Sequence, residues 1–393
     1  MSGFSSRYFL KSLIRFPVPS AARCYVEISR GQIEKNFQEV QRAVGAGVDV
    51  MAVVKADAYG HGMIEISRIL TALGARWLAV SSVAEGVALR QAGIQAQVLV
   101  MAGVLPSERR AAVEFGLTPV AHSIEDILAF EEAAEASAKP LPFHLKLDTG
   151  MARLGARANP TEIAGAIRGL KRARCEGLLT HFASAADFTT PQTDRQILRF
   201  EELVSALHEL GVAPGYLHLS STNAIAYSRP NAWRALVRPG HAIYGYVSPA
   251  KGHGPKSTLS VSPALSWKAK IVALKHVPAN TLIGYGGSAC TKRPTAVAIL
   301  GAGYADGIPH RLSNRGRVIA GGAWAPVLGT VSMDLTTIDV TDAPLLAVGD
   351  DVTILGREGN LSINAQEIAR IAGTISYNVL CGIKPRVERV YLD

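Results

Sequence analysis

Residues 53–62 read Val53-Val54-Lys55-Ala56-Asp57-Ala58-Tyr59-Gly60-His61-Gly62. The lysine follows directly on an apolar run, residues 50–54, with the length and composition of a buried strand. A surface lysine ahead of a loop would account for that much, because lysine is usually exposed. The tyrosine and two glycines that come next suit a tight turn close to an anion. Together they place Lys55 at the C-terminal mouth of a strand, where open α/β folds and barrels collect their chemistry.

Outward from this stretch, strand and helix signals alternate. Apolar runs at 50–54, 77–80, 97–101, 118–121, 143–147, 175–180, 216–219 and 235–238 give eight strands. Between them, Ile66, Ile69, Leu70 and Leu73 recur at helical spacing, and Pro106 and Pro160 each open a helix. Ser123 caps another helix, which runs to about residue 137. Such a series, joined by right-handed crossovers, closes into a (β/α)8 barrel of the TIM type. Lys251-Gly-His-Gly-Pro-Lys-Ser257 is linker-like. Beyond it, short runs at 266–274, 295–300, 317–320, 333–340 and 351–355 lie between Gly, Pro, Asp and Asn turns, with one helix near 364–371. That texture predicts a mostly β domain. The expected division is an extension at 1–22, an α/β barrel at 23–258 and a β domain at 259–393.

The 393 residues favour two domains,. No apolar run reaches the roughly 18 residues that span a bilayer. The net charge of +9 permits nucleic-acid binding, but the charge is dispersed, with no basic block and no aromatic interleaving,. An anionic small ligand suits it equally. Cys24, Cys175, Cys290 and Cys381 lie far apart with no zinc spacing, so free thiols in a reducing, cytoplasmic setting are expected and no metal is. The first 22 residues carry Arg7, Lys11 and Arg15 and no acid. An organelle-targeting peptide, a non-native extension and an over-long start all fit; the segment is expected to lie outside the core.

Several further segments belong with the lysine stretch. They are His144-Leu-Lys-Leu-Asp-Thr-Gly-Met-Ala-Arg-Leu-Gly155, Thr180-His-Phe-Ala-Ser184, Val237-Arg-Pro-Gly240, Ile283-Gly-Tyr-Gly286, Gly303-Tyr-Ala-Asp-Gly307, Ser332-Met-Asp334 and Thr374-Ile-Ser-Tyr377. In this order, split across a barrel and a β domain, they resemble the alanine racemases, two-domain pyridoxal-phosphate enzymes, over nearly the whole chain after residue 23.

The resemblance implies the following roles. Lys55 holds pyridoxal phosphate covalently and shuttles a proton on one face of the substrate; a partly buried lysine loses its proton readily. The cofactor is the electron sink. Tyr285, supplied by the second subunit of a homodimer, is the base on the opposite face, assisted by His181. A phenol acts as a base only when its pKa, about 10 in water, is lowered. Arg238 bonds His181 and faces the pyridine nitrogen; arginine keeps its proton, so the sink is weak and transamination disfavoured. Tyr59, Ser221, Thr222, the amides of Gly240 and His241, and Tyr377 bind the phosphate. Arg153, Met333 and Asp334 bind the substrate carboxylate, and Tyr304 narrows the entrance. Lys146 is carbamylated in many relatives and then orients Arg153; an ordinary pair between Lys146 and Asp148 is the alternative.

The expected reaction is interconversion of L- and D-alanine, for bacterial wall precursors or for alanine catabolism. A racemase of broader range, a decarboxylase of this barrel type and a single-barrel cofactor carrier are the alternatives. Tyr285, Arg238 and the β domain speak against the last two. The chain departs from the family pattern at His310, Thr330 and Asp187, all entryway positions, and at Glu388 in Arg386-Val-Glu-Arg-Val-Tyr391, where relatives often have proline.

Overall fold

The computed structural model describes residues 22–343 and 345–393. The expectation for the N-terminal extension therefore lies, but for Ala22, outside the described residues.

Eight parallel strands form the barrel: β2 (Asp49–Val53), β3 (Trp77–Val80), β4 (Gln97–Val100), β5 (Thr118–Ala121), β6 (Leu141–Lys146), β7 (Ala173–Leu179), β8 (Tyr216–His218) and β9 (Leu236–Val237). They pair in the order β8-β7-β6-β5-β4-β3-β2-β9. The seam between β8 and β9 closes through a bridge of Ser221 with Arg238, where the Arg238 amide donates to the Ser220 carbonyl at 2.8 Å. Strands buried on both faces need continuous apolar runs, and Met51, Ala52, Leu78, Val98, Leu99 and Val120 are fully buried. The helices start as the sequence predicts: Ser123 caps Ile124–Ala136, and Asn159 with Pro160 opens Pro160–Arg168,.

The second sheet has nine strands. Its hub, β10 (Leu265–Val277), pairs antiparallel with Thr295–Leu300 and Asp351–Glu358. It also pairs with β1 (Cys24–Ser29), and Glu388–Leu392 runs parallel on the far side of β1. This corrects the expectation that residues from 23 onward belong to the barrel. Among the described residues the chain begins in the second sheet and crosses by the helix Arg30–Val44 into the barrel. Local pattern does not reveal this, because the partners of β1 lie more than 200 residues away. The run read as one strand at 333–340 is also shorter: the strand is Thr336–Asp339, and Met333 and Asp334 stand in the loop before it.

The two units are pinned together by polar contacts. The buried Asn36 amide donates to the carbonyls of Ile243 and Ser262, and its oxygen accepts from the Ser262 amide.

Candidate active site

Lys55 sits where β2 gives way to an unusual turn. Ala56, Asp57 and Ala58 have φ of 52–53° and ψ of 46–52°, and Tyr59 has φ of 54°. Four consecutive residues with side chains thus lie in the left-handed region, at roughly 1–2 kcal/mol apiece. Neighbours hold them there. One Glu85 carboxylate oxygen accepts from the Ala56 amide at 2.7 Å, and the other accepts from the amides of Ser81 and Ser82. The turn projects Lys55 and Tyr59 into one cavity of about 650 Å³.

The cavity gathers nine of the expected residues: Lys55, Tyr59, His181, Ser221, Thr222, Arg238, Gly240, His241 and Tyr377. One wall is a set of uncharged donors. Gly240 approaches Tyr59 so closely that a Cβ there would lie 2.3 Å from the phenol oxygen. The Tyr59 hydroxyl makes no hydrogen bond to a described residue, and burial pushes its pKa up, so it stays a donor,. Thr222 Oγ1 accepts from the amides of Gly240 and Ala242, both at 3.2 Å, while the His241 amide donates to no described residue. Tyr377 comes from the second domain and stacks on the His241 ring, with centroids 3.7 Å apart.

The other wall is cationic. Arg238 is buried and donates to the carbonyls of His218, Thr180 and Leu219 at 2.7–3.0 Å. Its Nη1 also lies 2.9 Å from His218 Nδ1, and His218 Nε2 lies 2.8 Å from His144 Nδ1. Arginine only donates, so His218 accepts on Nδ1 and donates its Nε2–H to His144 Nδ1. The expected bond to His181 is a long contact of 3.5 Å. Burial, and then the Arg238 charge, push His181 down to about 3, so its ring is neutral. Burial pushes Arg238 only to about 10, so its charge persists at neutral pH. Burial, followed by the nearby Arg153, lowers Lys55 below the usual lysine range,.

Lys146 is 6% exposed and makes no ion pair with a described residue. The alternative of a Lys146–Asp148 pair fails. Asp148 instead accepts from the amides of Gly150, Met151 and Ala152 and pairs with Arg157 at 2.8 Å. Burial, then Arg153 and Arg238, push Lys146 down to about 8. Arg153 does not line the cavity, although its field reaches both lysines.

Tyr285, Tyr304, Met333 and Asp334 do not reach this cavity. They share a separate, outward face of the β domain. Tyr285 is 78% exposed and Met333 55%. Their loops are tied together: the Tyr304 amide donates to the Ser332 carbonyl, and the Thr330 hydroxyl donates to the Tyr285 carbonyl. Asp334 pairs with Arg386, which also grips Asp306 through two bonds. Two departures from the family pattern lie on the same face: the His310 ring stands edge-on to Tyr304, and Thr330 supports Tyr285. The third, Asp187, bonds Thr189 and faces Lys251.

Sequence reasoning missed Met101, Met151, Asn223, Ile375 and Cys381 in the cavity wall and Glu85 behind the turn. Glu85 carried a readable signal as the third residue of a capping box begun by Ser82,. Cys381 carried none.

Residues 28–249 match the N-terminal domain of alanine racemase, and residues 264–391 match its C-terminal domain. An alanine racemase of Halothermothrix orenii is 38% identical over 370 residues, covering 93% of this chain and 96% of that protein. The solved alanine racemase of Clostridium difficile superposes with a TM-score of 0.90 at 30% identity, covering 95% of this chain and 96% of that one. The solved alanine racemase of Bartonella henselae, with covalently bound pyridoxal phosphate, superposes at 0.82 with 26% identity, covering 94% and 100%. The chain belongs to the alanine racemase family.

Proposed function

We propose that this chain is a pyridoxal-phosphate-dependent racemase that interconverts L- and D-alanine, working as a homodimer in the cytoplasm. The observation that carries this reading is the cavity at Lys55. One lysine with a depressed pKa faces a wall of neutral donors and a permanently charged arginine, with no carboxylate among the residues that line it. That donor set fits an anionic aldehyde. The Tyr59 hydroxyl and His241 amide, which bond to no described residue, with Thr222 and Tyr377, would hold the phosphate. Ser221 stands beside them. Lys55 would hold the aldehyde carbon, and Arg238, which only donates, would hold the ring nitrogen.

When bound, the cofactor supplies an electron sink for the pair left behind as the α-proton departs. The chain's own residues do the rest. Lys55 Nζ carries the proton on one face, and burial, which lowers its pKa, eases the loss of that proton,. Tyr285 carries it on the other face, contributed by a second copy of the chain, because its hydroxyl is outside the cavity of its own copy. His181, neutral and beside Arg238, supports that proton. Arg153, the Met333 amide and Asp334 bind the substrate carboxylate region, and Tyr304 narrows the entrance. Lys146, buried in a field of three other cations, is suited to capture CO2 as a carbamate; the anion so formed would orient Arg153.

A racemase of broader range is the second reading. What favours it is the position of His310 against Tyr304 and of Thr330 under Tyr285, at the face that would complete the entrance. Purified protein with pyridoxal phosphate, given L-alanine, L-serine, L-lysine or L-arginine in deuterated water, decides between them. D-alanine carrying α-deuterium, with little product from the others, is the expected result. D-products from all four would establish the broader enzyme. No α-exchange by protein that has bound the cofactor would overturn both.

A further inference from the structure

Arg389 and Tyr391, in the Arg386-Val-Glu-Arg-Val-Tyr391 segment at the far end of the chain from Lys55, line no part of the cavity. In the structure they reach the turn that carries Lys55. Arg389 lies on the last strand, Glu388–Leu392, with its side chain 12% exposed. Its Nε donates to the Gly60 carbonyl at 3.3 Å, and its Nη2 stands 3.7 Å from the Asp57 carboxylate. Its other donors engage the carbonyls of Ile383, Lys384 and Val387 at 2.6–3.2 Å. Tyr391 adds a bond from its hydroxyl to the His61 carbonyl at 2.9 Å. The fit is close on both sides. A Cβ on Gly60 would lie 2.3 Å from the Leu380 carbonyl oxygen, and one on Gly62 would lie 1.8 Å from the Tyr391 hydroxyl.

These contacts fall on a segment that would not keep its shape by itself. Residues 56–59 are left-handed without glycine, a conformation that L-residues leave when nothing restrains them. The turn's own bonds, Ala58 to Val54, Gly60 to Ala56 and Gly62 to Asp57, hold only while that conformation lasts. Glu85 restrains its start from the barrel side, and Asp57 accepts from the Met63 amide at 2.8 Å. Arg389 and Tyr391 restrain its end from the second domain. If the end relaxes, Tyr59 leaves the Gly240 wall and the Lys55 backbone rotates at the mouth of β2.

We propose that Arg389, seconded by Tyr391, is a positioning residue for Lys55: the last strand of the second domain latches the left-handed turn and thereby sets how tightly the cofactor is retained. This rests on the reading that Lys55 carries pyridoxal phosphate. A single guanidinium spanning Gly60 and three carbonyls of its own segment ties the turn to residues 383–387 as one unit. A lysine has the charge but lacks the planar fork, so it replaces only part of this.

The test uses the full-length chain as wild type, Arg389→Gln, Arg389→Lys and Tyr391→Phe, with three readouts. These are the rate at which bound pyridoxal phosphate leaves into a scavenger, amide hydrogen exchange of residues 58–62, and exchange of the barrel strand Gln97–Val100 as an internal reference. In Arg389→Gln, cofactor release and exchange at Ala58, Gly60 and Gly62 are both expected to rise by at least about tenfold while the reference strand is unchanged. Arg389→Lys is expected to fall between it and wild type, and Tyr391→Phe to rise about two- to fivefold. A faster turn with wild-type cofactor release would overturn the proposal, as would a turn that exchanges at the wild-type rate. If Arg389→Gln does not fold, the lysine and phenylalanine variants carry the same two tests. Wild-type protein that holds no cofactor on Lys55 would instead remove the functional reading, and the exchange data would still decide the latch.

Discussion

Two tyrosines show how differently the barrel mouth and the outer face of the β domain are finished. Tyr59, at the barrel mouth, is 7% exposed, packed against Gly240 and Tyr377, and aimed into a cavity with its lysine, arginine and backbone donors already in place. Tyr285, on the β domain, is 78% exposed, on a turn braced by the Thr330 hydroxyl. The first belongs to a cavity whose uncharged donors suit an anion. The second stands on an exposed face of the β domain, where Tyr304 and Met333 are exposed as well. An exposed patch with aromatic residues of this kind fits the interface of the proposed homodimer. The contrast supports the proposed division, in which one copy of the chain holds the cofactor end of the reaction and presents the opposite-face proton carrier to a neighbour.

The sharpest way to break this division is at its centre. Lys55→Ala is expected to lower racemisation by about four orders of magnitude or more, because it removes both the covalent anchor and one of two proton carriers. Steady-state rates from each enantiomer measure it. Tyr285→Phe removes only the second carrier. A loss of about 10²–10⁴-fold is expected, with α-deuterium exchange into one alanine enantiomer outlasting racemisation. Equal loss of exchange from both enantiomers would contradict the assignment of one face to each residue.

On the cofactor side, Tyr59→Phe deletes one donor from the anion wall. The dissociation constant for pyridoxal phosphate should rise about 10- to 100-fold, the range of a hydrogen bond to a charged group, with the fold intact by circular dichroism. The smallest effect concerns Lys146. Its folded pKa of about 8 lies below the ordinary lysine value, so the unfolded chain binds the extra proton between about pH 8 and 10.5. Stability therefore rises with pH through that window, and the cost of burying the charge is fully present below it. In CO2-free buffer, Lys146→Met should melt a few degrees above wild type at pH 7. The gap should close as the pH approaches 10.5. A constant gap would mean that Lys146 carries no buried charge.

The barrel was legible because its signals are local. Residues 50–54, 97–101 and 118–121 are apolar runs of strand length, and Ser123 and Pro160 mark helix starts. The Lys55 site was legible because barrel chemistry gathers at strand ends, which is where Arg238, His181 and Thr222 lie. Three things were not. The placement of Cys24–Ser29 in the second sheet depends on partners at 265–269 and 388–392, a pairing no local window contains. The left-handed turn at 56–59 contradicts the preferences of its own residues, so propensity argues against it; only Glu85, Arg389 and the close-packed Gly60 and Gly62 reveal why it persists. Cys381 enters the cavity on the helix Ser376–Cys381, whose position is set by packing against the turn rather than by any pattern in its six residues.

The division of labour is tested most directly by complementation. Lys55→Ala and Tyr285→Phe, each nearly inactive, are co-produced with different tags and the mixed dimer is isolated. One of its two sites then combines a native Lys55 from one copy with a native Tyr285 from the other. The mixed dimer should regain roughly half the activity of a wild-type dimer, as expected for a two-fold assembly with one restored site. A mixed dimer of verified composition that stays as inactive as its parents would contradict the account.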